Sequence, residues 1–143
     1  QLPTTARRQR QMCIRDRKVT LKLLARYGDY GNWDVDVDGF INKSNILQDH
    51  CDKENREYSE IGRTLHTNVL IAEDQNKLDA KIEKLSSYTN IPKDYYYERP
   101  LIGLEDEVFD TLNQYKEAGC TYLIAYIPDI VWGDTLDILS KLN

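Results

Sequence analysis

The chain has 143 residues, 41% hydrophobic and 30% charged, which gives room for one domain and the balance of a globular protein. No apolar run approaches the roughly 20 residues that cross a bilayer. The longest is Leu123–Ile127, and no basic start followed by an apolar core marks a signal peptide. A membrane partner is therefore not expected, and the cytoplasm is the expected compartment.

Three cysteines, Cys13, Cys51 and Cys120, form no CxxC pair, so no zinc site or disulfide framework is indicated. Net charge is −5, unevenly spread: residues 1–17 carry +4, five arginines against Asp16, and the remainder −9. A basic arm on an acidic body is one signature of nucleic-acid binding. A different origin is preferred here. Gln11–Arg17 reads QMCIRDR, the translation of CAG ATG TGT ATA AGA GAC AGA. That DNA resembles the transposon adapter used in sequencing libraries. Residues 1–17 are therefore read as a non-native leader, residues 18–143 as the domain, and no nucleic-acid partner is expected.

In chain order, Lys18–Tyr27 reads as an amphipathic helix with Val19, Leu23, Leu24 and Tyr27 inward and Lys22 and Arg26 outward. Gly28 and Asp29 end it. Trp33, Val35 and Val37 alternate with Asp34, Asp36 and Asp38, the period of a strand. Phe40–Glu54 is a second helix, with Phe40, Ile41, Ile46 and Leu47 inward and Asn55 suited to close it. Leu65–Ala72 is β-rich, and Val69, Leu70 and Ile71 read as a strand covered on both faces. A helix follows from Glu73 to about Leu85, with acidic groups at its positive end.

Ser86–Pro100 reads as an irregular excursion. Its Tyr95, Tyr96 and Tyr97 suit either a platform for a flat ligand or, as the preferred reading, an aromatic patch over the core. Leu104–Ala118 is the clearest helix, terminated by Gly119. Thr121–Ile127 reads as a central, buried strand. Gly133–Leu142 is a closing helix with Leu136, Leu139 and Leu142 inward, capped by Asp134 or Thr135. Strands separated by helices favour a parallel sheet in an α/β protein.

The polar residues show little chemistry by themselves. His50 and His66 read as structural or solvated. Asp34, Asp36 and Asp38 begin like a calcium loop, but Asn45 stands where the distal glutamate belongs. No metal is expected, and no Ser/His/Asp set or carboxylate pair stands out.

Five short motifs in order go further. LKLLARYGDYGNW resembles the "tLrlaAryaDawN" segment of luciferase-like flavin-dependent oxidoreductases through Leu21, Leu24, Ala25, Arg26, Tyr27, Asp29 and Asn32. HCDKENREYSEIGRT resembles "hCeevGRdpdeIerS" through Cys51, Arg56, Glu60 and Ile61. LHTNVLIAED resembles "vvvaed", Gly103–Val108 resembles "GtpeeV", and EAGCTYLIAYIPD resembles "eaGvdhfil.fpd". Gly31 and Asn55 depart from the pattern, replacing an aromatic residue and a glycine.

The resemblance implies that residues 18–142 are the C-terminal part of an incomplete (β/α)8 TIM-type barrel. The first half, and a glycine-rich strand end before Lys18, would lie upstream. It implies a flavin-type cofactor, either FMN, with oxygen activation, or the deazaflavin coenzyme F420, with hydride transfer, and a small organic substrate. Barrel sites sit at the carboxyl ends of strands, here near Asn32–Asp36, Ala72–Asp74 and Tyr126–Asp129. Asn32 is the candidate for a flavin ring edge or ribityl hydroxyl. Gly133 and Asp134, at a helix start, are the candidates for a phosphate. Catalytic residues are expected upstream. The isolated chain is expected to be inactive, poorly soluble and prone to associate with another copy through its strand edges, and the parent to be a monooxygenase or oxidoreductase, as a homo-oligomer in one reading. The rival reading is a small non-catalytic α/β binding protein.

Overall fold

The structure, a computed structural model, describes residues 11–13 and 18–141. The rest of the expected leader, residues 1–10 and 14–17, lies outside the described residues, as does Leu142 of the expected last helix. The elements in order are β1 (Gln11–Cys13), α1 (Lys18–Tyr27), β2 (Tyr30–Trp33), α2 (Val37–Lys53), a 3-10 turn (Tyr58–Glu60), β3 (Gly62–Asn68), β4 (Leu70–Ala72), α3 (Gln75–Thr89), α4 (Lys93–Tyr97), β5 (Ile102–Leu104), α5 (Glu105–Glu117), β6 (Tyr122–Tyr126) and α6 (Thr135–Leu139). No described helix is long and apolar enough to cross a membrane.

Four strands form a sheet in the order β1-β2-β3-β6, and β4 pairs with β5 in a second. The β1–β2, β2–β3 and β4–β5 pairings are parallel. Along β3 and β6 the hydrogen bonds advance together, from Thr121 N–H to the Arg63 carbonyl (2.8 Å) to Val69 N–H on the Tyr126 carbonyl (2.9 Å), so this pairing is parallel too. The architecture is α/β with parallel sheets.

The chain divides into two compact units, Gln1–Leu65 with Gly119–Tyr122 and His66–Ala118 with Leu123–Asn143. In the first, α1 packs on α2. Leu21, Leu24, Ala25, Trp33, Phe40, Leu47, Cys51, Ile61 and Leu65 are buried, and the Trp33 and Phe40 rings meet edge-on at 4.7 Å. The inward face of α1 differs from the expectation: Val19, Leu23 and Tyr27 are exposed, and Leu21, Leu24 and Ala25 turn inward. The helix is short, and Gly28 packs on Leu24, which a Cβ at Gly28 would strike at 2.5 Å. That contact fixes which stripe is covered.

The following strand is also displaced. It runs over Tyr30–Trp33 rather than Trp33–Asp38. The alternating valines and aspartates are instead the approach to α2, because the Asp36 carboxylate accepts the Gly39 N–H at 2.8 Å and starts the helix. An N-cap thus overrides a strand period. Asn55, at φ 50°, closes the α2 region as expected.

In the second unit, Leu70, Ala72, Leu78, Ile82, Leu85, Tyr96 and Ile102 form one apolar cluster, with Ile91, Leu104 and Trp132 packed against it. The β-rich run 65–72 is broken at Val69 into two strands in different sheets. Asp74 caps α3 through the Lys77 N–H, and Asn90, at φ 56°, closes it at Thr89, beyond the expected end. The expected irregular excursion therefore contains the end of α3 and all of α4. Its three tyrosines are each engaged: Tyr96 is buried in the core with its hydroxyl 2.8 Å from that of Thr89, Tyr97 donates to Asp79 at 2.8 Å, and Tyr95 lies under Arg99.

Two expectations fail at the end of the chain. The strand over 122–126 is the outer strand of its sheet, with Tyr122 64% and Tyr126 63% exposed, rather than a buried centre. The last helix is confined to Thr135–Leu139, with Ile138 buried and Leu136 exposed. An almost unbroken apolar strand that is only half-covered, at Leu123 and Ile124, is a mismatch between sequence and surroundings.

Candidate functional site

The carboxyl end of β2 carries Asn32. Register pairs it with Thr64, and the Thr64 hydroxyl lies 3.0 Å from Asn32 Oδ1 and 2.9 Å from the Gly31 carbonyl. Side chains alternate across a strand. Trp33, against Phe40, and Gly31, against Leu24, face the helices. Asn32 and Thr64 therefore project from the opposite face of the sheet. Both are buried, so the carboxamide is held rather than free to rotate. On the helix side of the sheet, the Trp33 indole N–H is buried with no hydrogen-bond partner among the described residues. Gly62 sits on the same face as Tyr30, where a Cβ would meet the tyrosine ring at 2.3 Å.

In the second unit, the segment after β6 builds a buried charged cluster. Lys81 of α3 extends its ammonium to the Asp129 carboxylate (2.8 Å), the Asp134 carboxylate (2.5 Å), the Ile71 carbonyl (2.6 Å) and the Thr135 hydroxyl (3.2 Å). Thr135 donates to Asp129 Oδ2 at 2.8 Å and accepts the Ile71 N–H at 3.0 Å. Asp129 is fully buried, and its Oδ1 has no partner among the described residues. The hydrogen bond from Lys81 holds the Asp134 carboxyl below its ordinary range. Four oxygens thus surround one ammonium and tie β4, α3 and the turn before α6 together.

Gly133 and Asp134 belong to this cluster. The Gly133 N–H donates to the Asp129 carbonyl at 2.7 Å, and the Asp134 carboxylate is held by Lys81. Two carboxylates line the turn, and α6 spans five residues. One of the donors expected for a phosphate, the Gly133 N–H, is engaged inside the protein. A Cβ on Gly133 would fall 1.9 Å from Asp129 Oδ2. Gly133→Ala is therefore expected to destabilise the second unit by about 1–3 kcal/mol through forced displacement of that carboxylate, measured by urea unfolding followed at Trp132.

Lys81 escaped the sequence reading. Its signal was present, for it falls between Leu78 and Leu85 on the apolar stripe of α3. Arg56 was noted for its motif and has a structural task. Its Nη1 donates to the carbonyls of Leu24 (3.2 Å), Ala25 (3.1 Å) and Gly28 (2.7 Å), closing the end of α1. His50 lies on α2 and His66 is exposed on β3.

No family model and no curated protein matches the chain. Solved structures of similar fold do. An F420-dependent secondary alcohol dehydrogenase, solved with an F420–acetone adduct, is 14% identical with a TM-score of 0.65, covering 88% of this chain and 45% of its own. The coenzyme F420-dependent tetrahydromethanopterin reductase of Methanopyrus kandleri is 13% identical with a TM-score of 0.62, covering 90% of this chain and 47% of its own. A riboflavin lyase, solved with modified FMN and riboflavin, is 11% identical with a TM-score of 0.63, covering 85% and 40%. This chain thus spans less than half the length of these proteins, and what it shares with them is the fold.

Proposed function

We propose that this chain is the C-terminal part of a (β/α)8 barrel of the luciferase-like type, whose complete form is an oxidoreductase using FMN or the deazaflavin coenzyme F420 on a small organic substrate. One observation carries the reading. Solved enzymes that depend on F420 or carry modified FMN share the fold over 85–90% of this chain, while it spans only 40–47% of theirs. The five ordered sequence motifs point to the same class independently.

Asn32 would meet the cofactor in this reading. It stands at the carboxyl end of a parallel strand, on the face turned from the helices, where barrel enzymes place their chemistry. Its carboxamide is oriented by Thr64, which suits an amide that must present a donor and an acceptor to a ring edge. Gly133 and Asp134 would act through the turn they hold, keeping the segment after β6 in place. When bound, the flavin-type ring supplies the redox chemistry, and the protein orients it. The chain alone would be inactive.

Recovery of the gene's upstream coding sequence tests this. The expected frame continues before Lys18 into a glycine-rich strand end and about five further βα units. A genuine start at or near Lys18 would remove the reading.

A further inference from the structure

Asn32 and Thr64 stand opposite one another in register, on the face of β2 and β3 turned from the helices. The Thr64 hydroxyl lies 2.9 Å from the Gly31 carbonyl and 3.0 Å from Asn32 Oδ1. Both oxygens accept, so the hydroxyl is the donor in each contact and its one proton is shared between them. The Gly31 carbonyl belongs to the strand and cannot turn. It fixes the Thr64 hydroxyl, and that hydroxyl fixes Asn32. A carboxamide carries its acceptor and its donors on different atoms. With its oxygen on Thr64, Asn32 directs its nitrogen away from Thr64.

The rest of the face sets the direction of approach. Toward the amino end, the Tyr30 ring lies over Gly62, where a Cβ would meet it at 2.3 Å. That side of the pair is filled by an aromatic ring. Thr64 is 2% exposed and Asn32 9%, so the surface the pair offers is that of the carboxamide. We propose that Thr64 is a positioning residue that fixes the polarity of Asn32, so that Asn32 meets the cofactor as a hydrogen-bond donor. The atom it meets is then an acceptor, such as a carbonyl oxygen of the ring, which FMN and coenzyme F420 both carry. An N–H of the ring edge does not fit. This rests on the oxidoreductase reading, and it narrows an amide offering both its ends to one offering its nitrogen.

Fluorescence titration of FMN and of coenzyme F420 into the upstream-extended protein tests it. Asn32→Asp keeps an oxygen for Thr64 and removes the amide hydrogens. Binding is expected to weaken about 10- to 100-fold, because the acceptor of the cofactor then faces another acceptor. Thr64→Val removes the hydroxyl at similar volume and is expected to weaken binding about 10-fold, whereas Thr64→Ser restores it and is expected to stay within about 2-fold of wild type. The double variant Asn32→Asp, Thr64→Val is expected to bind within about 3-fold of Asn32→Asp, since Thr64 acts through the amide already lost. Circular dichroism melts show which variants fold, and where Thr64→Val does not, Asn32→Asp and Thr64→Ser decide. Wild-type affinity in Asn32→Asp or in a folded Thr64→Val overturns the proposal. So do losses that simply multiply in the double variant, or a Thr64→Ser variant as weak as Thr64→Val. Binding of neither cofactor by the wild type removes the oxidoreductase reading and this proposal with it, so the two failures are distinguishable.

Discussion

Lys81→Met is expected to destabilise the second unit by about 3–5 kcal/mol, the penalty of leaving a buried charge without its partner. The substitution keeps the length of the side chain and removes only the ammonium. Asp129 is fully buried, and its side-chain hydrogen-bond donors among the described residues are Lys81 Nζ and the Thr135 hydroxyl, both on Oδ2. Without Lys81, one hydroxyl faces a carboxylate in an apolar setting. The Ile71 carbonyl loses its ammonium contact in the same step. Asp134 matters less, because its side chain is 44% exposed and water replaces the lost partner. The double variant Lys81→Met, Asp129→Leu is expected to recover most of the loss, since removing both charges is often neutral where removing one is severe. Urea unfolding followed at Trp132 for wild type, both single variants and the double gives the coupling energy. Additive losses would show that the ammonium and the carboxylate do not depend on one another.

The second large effect is expected at Arg56. The end of α1 presents carbonyls short of helical donors, and Arg56 supplies one guanidinium to those of Leu24, Ala25 and Gly28, the first of which also accepts the Gly28 N–H at 2.9 Å. The same group lies 3.5 Å from Glu60 and 4.0 Å from Asp29. Arg56→Ala is expected to destabilise the first unit by about 2–3 kcal/mol, the range for losing hydrogen bonds to a charged donor. Arg56→Lys is expected to recover less than half of this, because an ammonium cannot reproduce the planar fork of donors. Denaturant melts read at Trp33 check both. A lysine variant as stable as wild type would reduce the role of Arg56 to its charge.

Much of the fold was legible where local chemistry and burial agreed. Gly28, Asn55 and Gly119 punctuate the chain where expected, and the backbone of Asn55 and Gly119 takes positive φ. The motif residues Cys51, Arg56 and Ile61 prove to have packing roles: Cys51 and Ile61 are fully buried, and the Cys51 carbonyl accepts the Arg56 N–H at 3.0 Å. The resemblance therefore reported how α1, α2 and β3 are joined more than it reported chemistry. Other features were hidden for physical reasons. Val35 and Val37 mimic a strand, and only the capping bond of Asp36 decides otherwise. β5 is three residues long, too short for a period to show. The apolar run of β6 reads as a central strand, but run character alone does not fix sheet position, and β6 lies at the edge of its sheet.

The candidate site was legible in position and not in connection. Asn32 was picked for its place at a strand end, and the structure adds Thr64 as the residue that holds it. Gly133 and Asp134 were picked as a helix start. Lys81, 53 residues from Asp134 in sequence, shows instead how the turn is fixed. Long-range ion pairs leave no local pattern, and only the misplaced polarity of Lys81 on an apolar stripe could have marked it.

The central claim is that this chain was built to sit inside a flavin- or deazaflavin-binding barrel. The most direct test is fluorescence titration of FMN, and separately of coenzyme F420, into the protein extended through its upstream half, with Asn32→Ala beside the wild type. The account predicts saturable binding of one of the two by the extended protein, weakened in the Asn32 variant while the melting transition is retained. Saturation by neither cofactor in a folded, extended protein would contradict it.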